Sequence, residues 1–186
     1  MIIAITGRIG AGKSMVGNIV RALGGYVIDA DMINAELMTK TSYILEIKKY
    51  FPNAVTNMVI DRKKLADIVF NDKNSLIKLN SIAHPLIIGI IMYEASQVTG
   101  QNVFVEIPIL LDSIVMYFNR IWVVESDIDL RIERVFKRDN VSLERFNRIN
   151  AAQNQTIKSD IATDIIINNG SEEKLWEEVQ KLYLLL

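Results

Sequence analysis

The chain has 186 residues, with 21 Lys and Arg against 22 Asp and Glu, a formal net charge of -1, one His and no Cys. That is one domain's length, and the balanced charge excludes a general polyanion binder; the Cys and His counts exclude a disulfide scaffold, a thiolate or multi-histidine metal centre and a cysteine nucleophile. The longest apolar run, Leu86 to Tyr93, is far short of the roughly 20 residues of a spanning helix, and the apolar start lacks a signal peptide's basic leader, so a cytoplasmic protein without nucleic-acid or membrane partners is expected.

Short β-branched runs alternate with helical patterns along the chain: Ile2 to Thr6, Tyr26 to Ile28, Val103 to Ile107, Ile121 to Glu125 and Asp164 to Asn168. This alternation predicts an α/β fold with a five-stranded parallel sheet flanked by helices. The first run leads into Gly7-Arg8-Ile9-Gly10-Ala11-Gly12-Lys13-Ser14, which matches G-x-x-x-x-G-K-[ST] between a strand and a helix expected from about Lys13 to Leu23. Small residues let backbone N–H groups curl around phosphates, and the helix N-terminus adds partial positive charge. Gly10, Ala11, Gly12, Lys13, Ser14 and Met15 are therefore the candidates for ATP binding, with Lys13 reaching the β- and γ-phosphates and the Ser14 hydroxyl on Mg²⁺. A dinucleotide loop would lack the Lys-Ser ending, and neither guanine-reading nor switch motifs of GTPases occur, which leaves a P-loop NTPase fold of the kinase type.

Asp29-Ala30-Asp31 follows the second run. Carboxylates at the carboxyl end of a parallel strand face the ligand crevice. One of them can accept a proton from an acceptor hydroxyl and the other assist or contact Mg²⁺ through water; Asp31 also suits a helix N-cap. An aspartate with an ordinary pKa is ionised at neutral pH, so no tuning is needed for a base.

Residues from about 31 to 100 read mostly as helix, too long for a simple crossover and so an inserted helical lobe. Within it Asp61 is an N-cap, Ile60 and Leu65 form a hydrophobic staple, and His84-Pro85 is expected to break or kink a helix. Taken alone, Arg62 reads as a solvated charge and His84 as a satisfied structural residue.

Glu106, ending the third run, stands where a Walker-B carboxylate would. From Arg131 to Arg148 there are six basic and three acidic residues, a balance of +3, with Arg131, Arg134 and Arg138 at helical spacing. In a phosphoryl-transfer enzyme such arginines belong on a lid, expected at about 138–160, because catalysis there rests on positioning and charge stabilisation. After the Asn169-Gly170 turn a last helix starts at Ser171, with Leu175, Trp176, Val179 and Leu182 on one face. The core is thus expected at about 1–30, 101–137 and 161–186.

Together these residues resemble the dephospho-CoA kinase family, of the nucleoside-monophosphate-kinase-like P-loop group. The resemblance covers nearly the whole chain. It rests on Thr6 to Ser14, Val27 to Asp31, Ile60 to Leu65 with Val69-Phe70, Ile82 to Ile87, Pro108-Ile109-Leu110-Leu111, Arg134 to Asp139, Arg148 to Gln153 and Asp164 to Gly170. It implies a Mg²⁺-dependent transfer of the ATP γ-phosphate to the ribose 3′-hydroxyl of dephospho-CoA, giving CoA and ADP. It implies Asp31 as catalytic base, Lys13 and the lid arginine Arg138 as catalytic charges, and Arg148, Asn169 and Gly170 on the ATP side. Arg62 and His84 are implied on the acceptor side, where Asp29 and Glu106 are expected as well. The chain departs from the family's usual residues at Arg8, Met15, Glu106, Ile109, Leu111, Asp112 and Arg131. A nucleoside monophosphate kinase, or an ATP-binding module without an acceptor, is the alternative, and a monomer or weak homo-oligomer is expected.

Overall fold

The five β-branched runs form one parallel sheet in the computed structural model, which describes residues 1–108, 110, 112–154 and 159–186. Ile109, Leu111 and residues 155–158 of the expected lid lie outside the described residues. In chain order the elements are β1 (Ile2–Gly7), α1 (Lys13–Ala22), β2 (Tyr26–Asp29), α2 (Ala30–Leu37), α3 (Thr41–Tyr50), β3 (Val55–Thr56), β4 (Val59–Ile60), α4 (Arg62–Asn71) and α5 (Lys73–Gln97). They continue with β5 (Val103–Glu106), α6 (Asp112–Val115), β6 (Arg120–Glu125), α7 (Ile128–Asp139), α8 (Leu143–Asn154), β7 (Asp164–Ile167) and α9 (Glu172–Tyr183). The chain divides into two compact units, Met1–Asp29 with Glu94–Leu186, and Ala30–Tyr93.

In the first unit the strand order is β2-β5-β1-β6-β7, every pairing parallel. The central strand β1 is apolar at consecutive positions because both its faces are covered; Ile3, Ala4 and Ile5 are fully buried. The amphipathic faces of α1 (Val16, Val20) and α9 (Leu175, Val179) share a core with Phe104, Trp122 and Ile166. Trp176 does not join Leu175 and Val179 inside; it is 39% exposed. The register matters most at the carboxyl ends. Ile5 pairs with Glu106, and Asp29 also pairs with Glu106, so two carboxylates stand side by side just where β1 turns into the glycine-rich loop.

The second unit is helical apart from the hairpin β3/β4, which the sequence does not signal: its two-residue turn is Asn57-Met58, both at positive φ, without the glycine that usually marks such a turn. Asp61 caps α4 as expected, accepting from the Lys63 and Lys64 N–H groups. The break expected at His84-Pro85 is corrected by the structure. Helix α5 runs unbroken for 25 residues with Pro85 inside it. The carbonyl that proline leaves unpaired belongs to Ser81, one turn back on an exposed part of the helix where water can reach it. Burial of Ala83, Ile88 and Ile91 on either side offsets the lost bond. Over an 18-residue window helix α5 also reaches a mean hydropathy of 1.5, so by length and composition it is long and apolar enough to cross a membrane. A search for uninterrupted apolar runs misses this, because polar residues such as Asn80, Ser81 and His84 punctuate the helix.

Candidate active site

The glycine-rich loop takes its shape from three glycines, Gly7, Gly10 and Gly12, all in conformations other residues resist. Gly10 has φ +79° and Gly12 φ +103°, left-handed values that cost a side-chain-bearing residue about 1 kcal/mol or more. Close approach adds a second reason. A Cβ on Gly10 would lie 2.5 Å from the Arg131 carbonyl oxygen, and one on Gly12 would collide with the Asn168 side-chain amide. Gly12 is the N-cap of α1 and supplies no side-chain cap, so the first amides of that helix point out of its N-terminus as an anion site requires. Lys13 Nζ donates to the Gly7 carbonyl at 2.8 Å, folding the ammonium back across the loop.

Around the loop stand groups that the motif does not mention. The Ile9 N–H donates to Gln153 Oε1 (2.7 Å), the Gly10 carbonyl accepts from Arg134 Nη1 (3.5 Å), and the Ala11 carbonyl accepts from Asn168 Nδ2 (2.8 Å). Three consecutive loop residues are thus held by side chains from α8, α7 and the end of β7. A small pocket lies beside them, lined by Arg8, Ala11, Ser126 and Arg131 among others.

Glu106 is only 6% exposed and sits against α1. Its carboxylate occupies the space where Gly17 has no side chain, so any larger residue at 17 would displace it. Arg21 Nη1 lies 3.1 Å from Glu106 Oε1 and also donates to Asn18 Oδ1 at 3.0 Å. Burial pushes the Glu106 carboxyl above the usual glutamate range, against the opposing pull of Arg21 and the Ser14 hydroxyl. The structure therefore brings Glu106 to Ser14, with Asp29 as its register neighbour.

The arginines of the second half separate into two kinds. Arg131 is 5% exposed and, among the described residues, bonds neutral acceptors, Nε to the Ser126 carbonyl at 3.1 Å and Nη1 to Asn150 Oδ1 at 2.8 Å. Burial, with the nearby Arg8 charge, lowers its pKa. Arg134 bonds Ser126 Oγ and the Asn168 carbonyl, both at 3.0 Å. Arg138, by contrast, is exposed and pairs through two nitrogens with its neighbour Asp139, at 2.8 and 2.6 Å. Arg148 is half-exposed and meets Glu144 one turn away at 3.8 Å. Asn169 accepts from the Asp127 N–H at 2.8 Å, and Gly170 is exposed; the residue that touches the phosphate loop is Asn168.

In the second unit Asp31 is exposed in the first turn of α2, and Arg62 opens α4 and donates to the Ala35 carbonyl at 3.4 Å. His84 is half-buried on α5, and that burial holds its imidazole below the usual histidine range, hence neutral at pH 7. The sequence reading missed Gly17, Arg21, Gln153 and Asn168 as parts of the site. Only the helical spacing of Arg131 and Arg134 hinted at the rest of the network.

A parallel sheet, a Gly-x-x-x-x-Gly-Lys-Ser loop capping α1, and carboxylates at the adjoining strand ends define a P-loop kinase. The dephospho-CoA kinase family model matches residues 1–174. A dephospho-CoA kinase of Fusobacterium nucleatum is 35% identical over 97% of this chain and 96% of its own. Among solved structures, a Thermus thermophilus protein superposes with a TM-score of 0.83 at 31% identity, covering 100% of this chain and 96% of its own. The dephospho-CoA kinase of Campylobacter jejuni does so with a TM-score of 0.67 at 27% identity, covering 97% and 94%. The chain belongs to the dephospho-CoA kinase family, and it is an ATP-dependent kinase of coenzyme A biosynthesis.

Proposed function

We propose that this chain phosphorylates the ribose 3′-hydroxyl of dephospho-CoA with the following division of labour. The N–H groups from Gly10 to Met15 and the Lys13 ammonium hold the β- and γ-phosphates, and Lys13 leaves the Gly7 carbonyl to do so. Asp31 takes the proton of the 3′-hydroxyl as its oxygen bonds to the γ-phosphorus. The bond from that phosphorus to the β–γ bridging oxygen breaks, and ADP leaves with CoA as the other product. Arg62 and the neutral His84 bind the acceptor. Arg138 and Arg148 exchange their local carboxylates, Asp139 and Glu144, for the charge of the reacting phosphates; Asn169 and Gly170 flank the nucleotide.

The donor set fits Mg²⁺. Ser14, Glu106 and Asp29 offer only hard oxygen donors, and Glu106 lies against the Ser14 hydroxyl. Bound there, the ion would supply charge neutralisation to the phosphates; Ser14 would hold it, with Glu106 and Asp29 behind. The enzyme acts in the cytoplasm as a monomer or weak homo-oligomer, with small-molecule partners and neither nucleic acid nor membrane.

The observation that carries this reading is the loop itself: left-handed Gly12 opening α1 with Lys13 and Ser14 next to the Asp29–Glu106 strand ends. Phosphorus NMR of the product formed from Mg-ATP and dephospho-CoA tests it. A new ribose 3′-phosphate is expected. ADP release without that phosphate, or phosphorylation of a nucleoside monophosphate instead, refutes it.

A further inference from the structure

Gln153 joins three parts of the first unit. It lies at the end of α8, is 8% exposed, accepts the Ile9 N–H at 2.7 Å and donates to the Pro108 carbonyl at 3.4 Å. Ile9 is in the leading half of the phosphate loop, and Pro108 stands two residues after Glu106. The N–H of Ile9 is engaged in this bond and so is committed to Gln153 instead of to a phosphate oxygen. A curled loop keeps one shape only if the N–H groups facing away from its ligand also find acceptors. Gln153 supplies that acceptor from α8, a helix that α7 grips through Arg131 and Asn150.

The amide is the chemical group this place requires. Its carbonyl suits the Ile9 donor and its NH₂ suits the Pro108 acceptor, and it brings no negative charge toward a triphosphate. A glutamate of the same length would serve Ile9 but would turn lone pairs on the Pro108 carbonyl.

We propose that Gln153 is a positioning residue of the ATP site: by holding Ile9 and Pro108 together it fixes the phosphate loop and ties that loop's shape to helix α8. This rests on the reading of Gly7 to Ser14 as the ATP cradle.

The test compares Gln153→Met, equal in length but without the amide, and Gln153→Glu with the parent enzyme. ATP Kd is measured by calorimetry, KM for dephospho-CoA by steady-state assay, and exchange of the Ile9 amide by NMR. For Gln153→Met, ATP Kd is expected to rise about tenfold, the effect of losing one buried hydrogen bond. Ile9 exchange accelerates by a similar factor, and KM for dephospho-CoA stays within about twofold. For Gln153→Glu, Ile9 exchange stays near the parent rate while ATP still binds more weakly. An unchanged ATP Kd in Gln153→Met overturns the proposal, and so do parallel losses for both substrates with a lower Tm, which mark a merely structural role. Lys13→Ala run alongside separates the two readings. If it leaves ATP Kd unchanged, the cradle reading fails; if it weakens ATP and Gln153→Met does not, only the role of Gln153 fails.

Discussion

The unit with the glycine-rich loop and the helical lobe carry their candidate functional residues in opposite ways. In the first, Ile9, Gly10 and Ala11 are each bonded by a side chain from another element, and Lys13 and Glu106 have partners within about 3 Å. In the second, Asp31 and Arg62 are exposed on separate helices, and the bond found for Arg62 is long, at 3.4 Å. An anion site made of backbone amides works only if the backbone is fixed before the ligand arrives, so its order is built in and costs nothing at the moment of binding. Acceptor contacts made by long side chains are ordered by the acceptor itself. The contrast predicts that changes in the first unit act on ATP and turnover, and that changes in the lobe act on the acceptor.

The largest effect is expected at Lys13. Lys13→Ala removes a charge from the developing phosphoryl transition state, and kcat should fall about 10³-fold. Unfolding stability should change by no more than about 1 kcal/mol, since the ammonium's bond to the Gly7 carbonyl is replaceable by water. Steady-state kinetics beside a denaturant melt check this. A collapse in stability without ligand would make Lys13 structural and remove the contrast.

Asp31→Asn tests the chemical role proposed for the lobe. General-base help is worth roughly 10²- to 10⁴-fold, so kcat should drop by about 10²-fold or more while ATP Kd holds. An unchanged kcat removes Asp31 from the mechanism. Arg62→Ala should be milder: KM for dephospho-CoA rising about tenfold, the loss of one charged hydrogen bond, with ATP Kd unaltered. A rise in ATP Kd of the same size would show that the lobe is not reserved for the acceptor.

The same contrast explains what could be read from the sequence. Five strands, the loop and the Asp61 cap were legible because each is a local pattern: β-branched runs, glycine spacing, an aspartate ahead of an apolar stripe. The bracing groups were not, because each acts far from its place in the chain. Gln153 lies 144 positions from Ile9, and Asn168 lies 157 from Ala11. Gly17 looks like an ordinary weak spot in a helix until Glu106 is seen to fill its missing side chain. The arginine segment was legible as a charge excess but not as two populations; Arg131 and Arg138 share helical spacing, yet one is buried among neutral acceptors and the other is bound to its neighbouring aspartate. Arg62 and His84 gained meaning only from resemblance, since no local sequence pattern marks them. The proline in α5 misled for a related reason, because the rule is local and the burial that overrides it is not.

The smallest predicted effect is a pH dependence in the lobe. Burial lowers the His84 pKa, so the unfolded chain takes up that proton at a higher pH than the folded one. Between the two values the unfolded state binds more protons, and stability therefore falls as pH drops. The contribution is complete above the unfolded value of roughly 6.5 and is lost as pH falls toward the folded value. Glu106 works in the opposite sense, because a raised carboxyl pKa favours the folded state on acidification. The wild-type curve alone therefore mixes the two. The difference between wild type and His84→Gln in urea melts taken across that pH window isolates the imidazole, since it is the chain's one histidine. The variant is expected to lose less stability on acidification than wild type. Parallel curves would mean that His84 is as well solvated folded as unfolded, and the lobe would then present it to the acceptor as an ordinary titrating side chain instead of a neutral one.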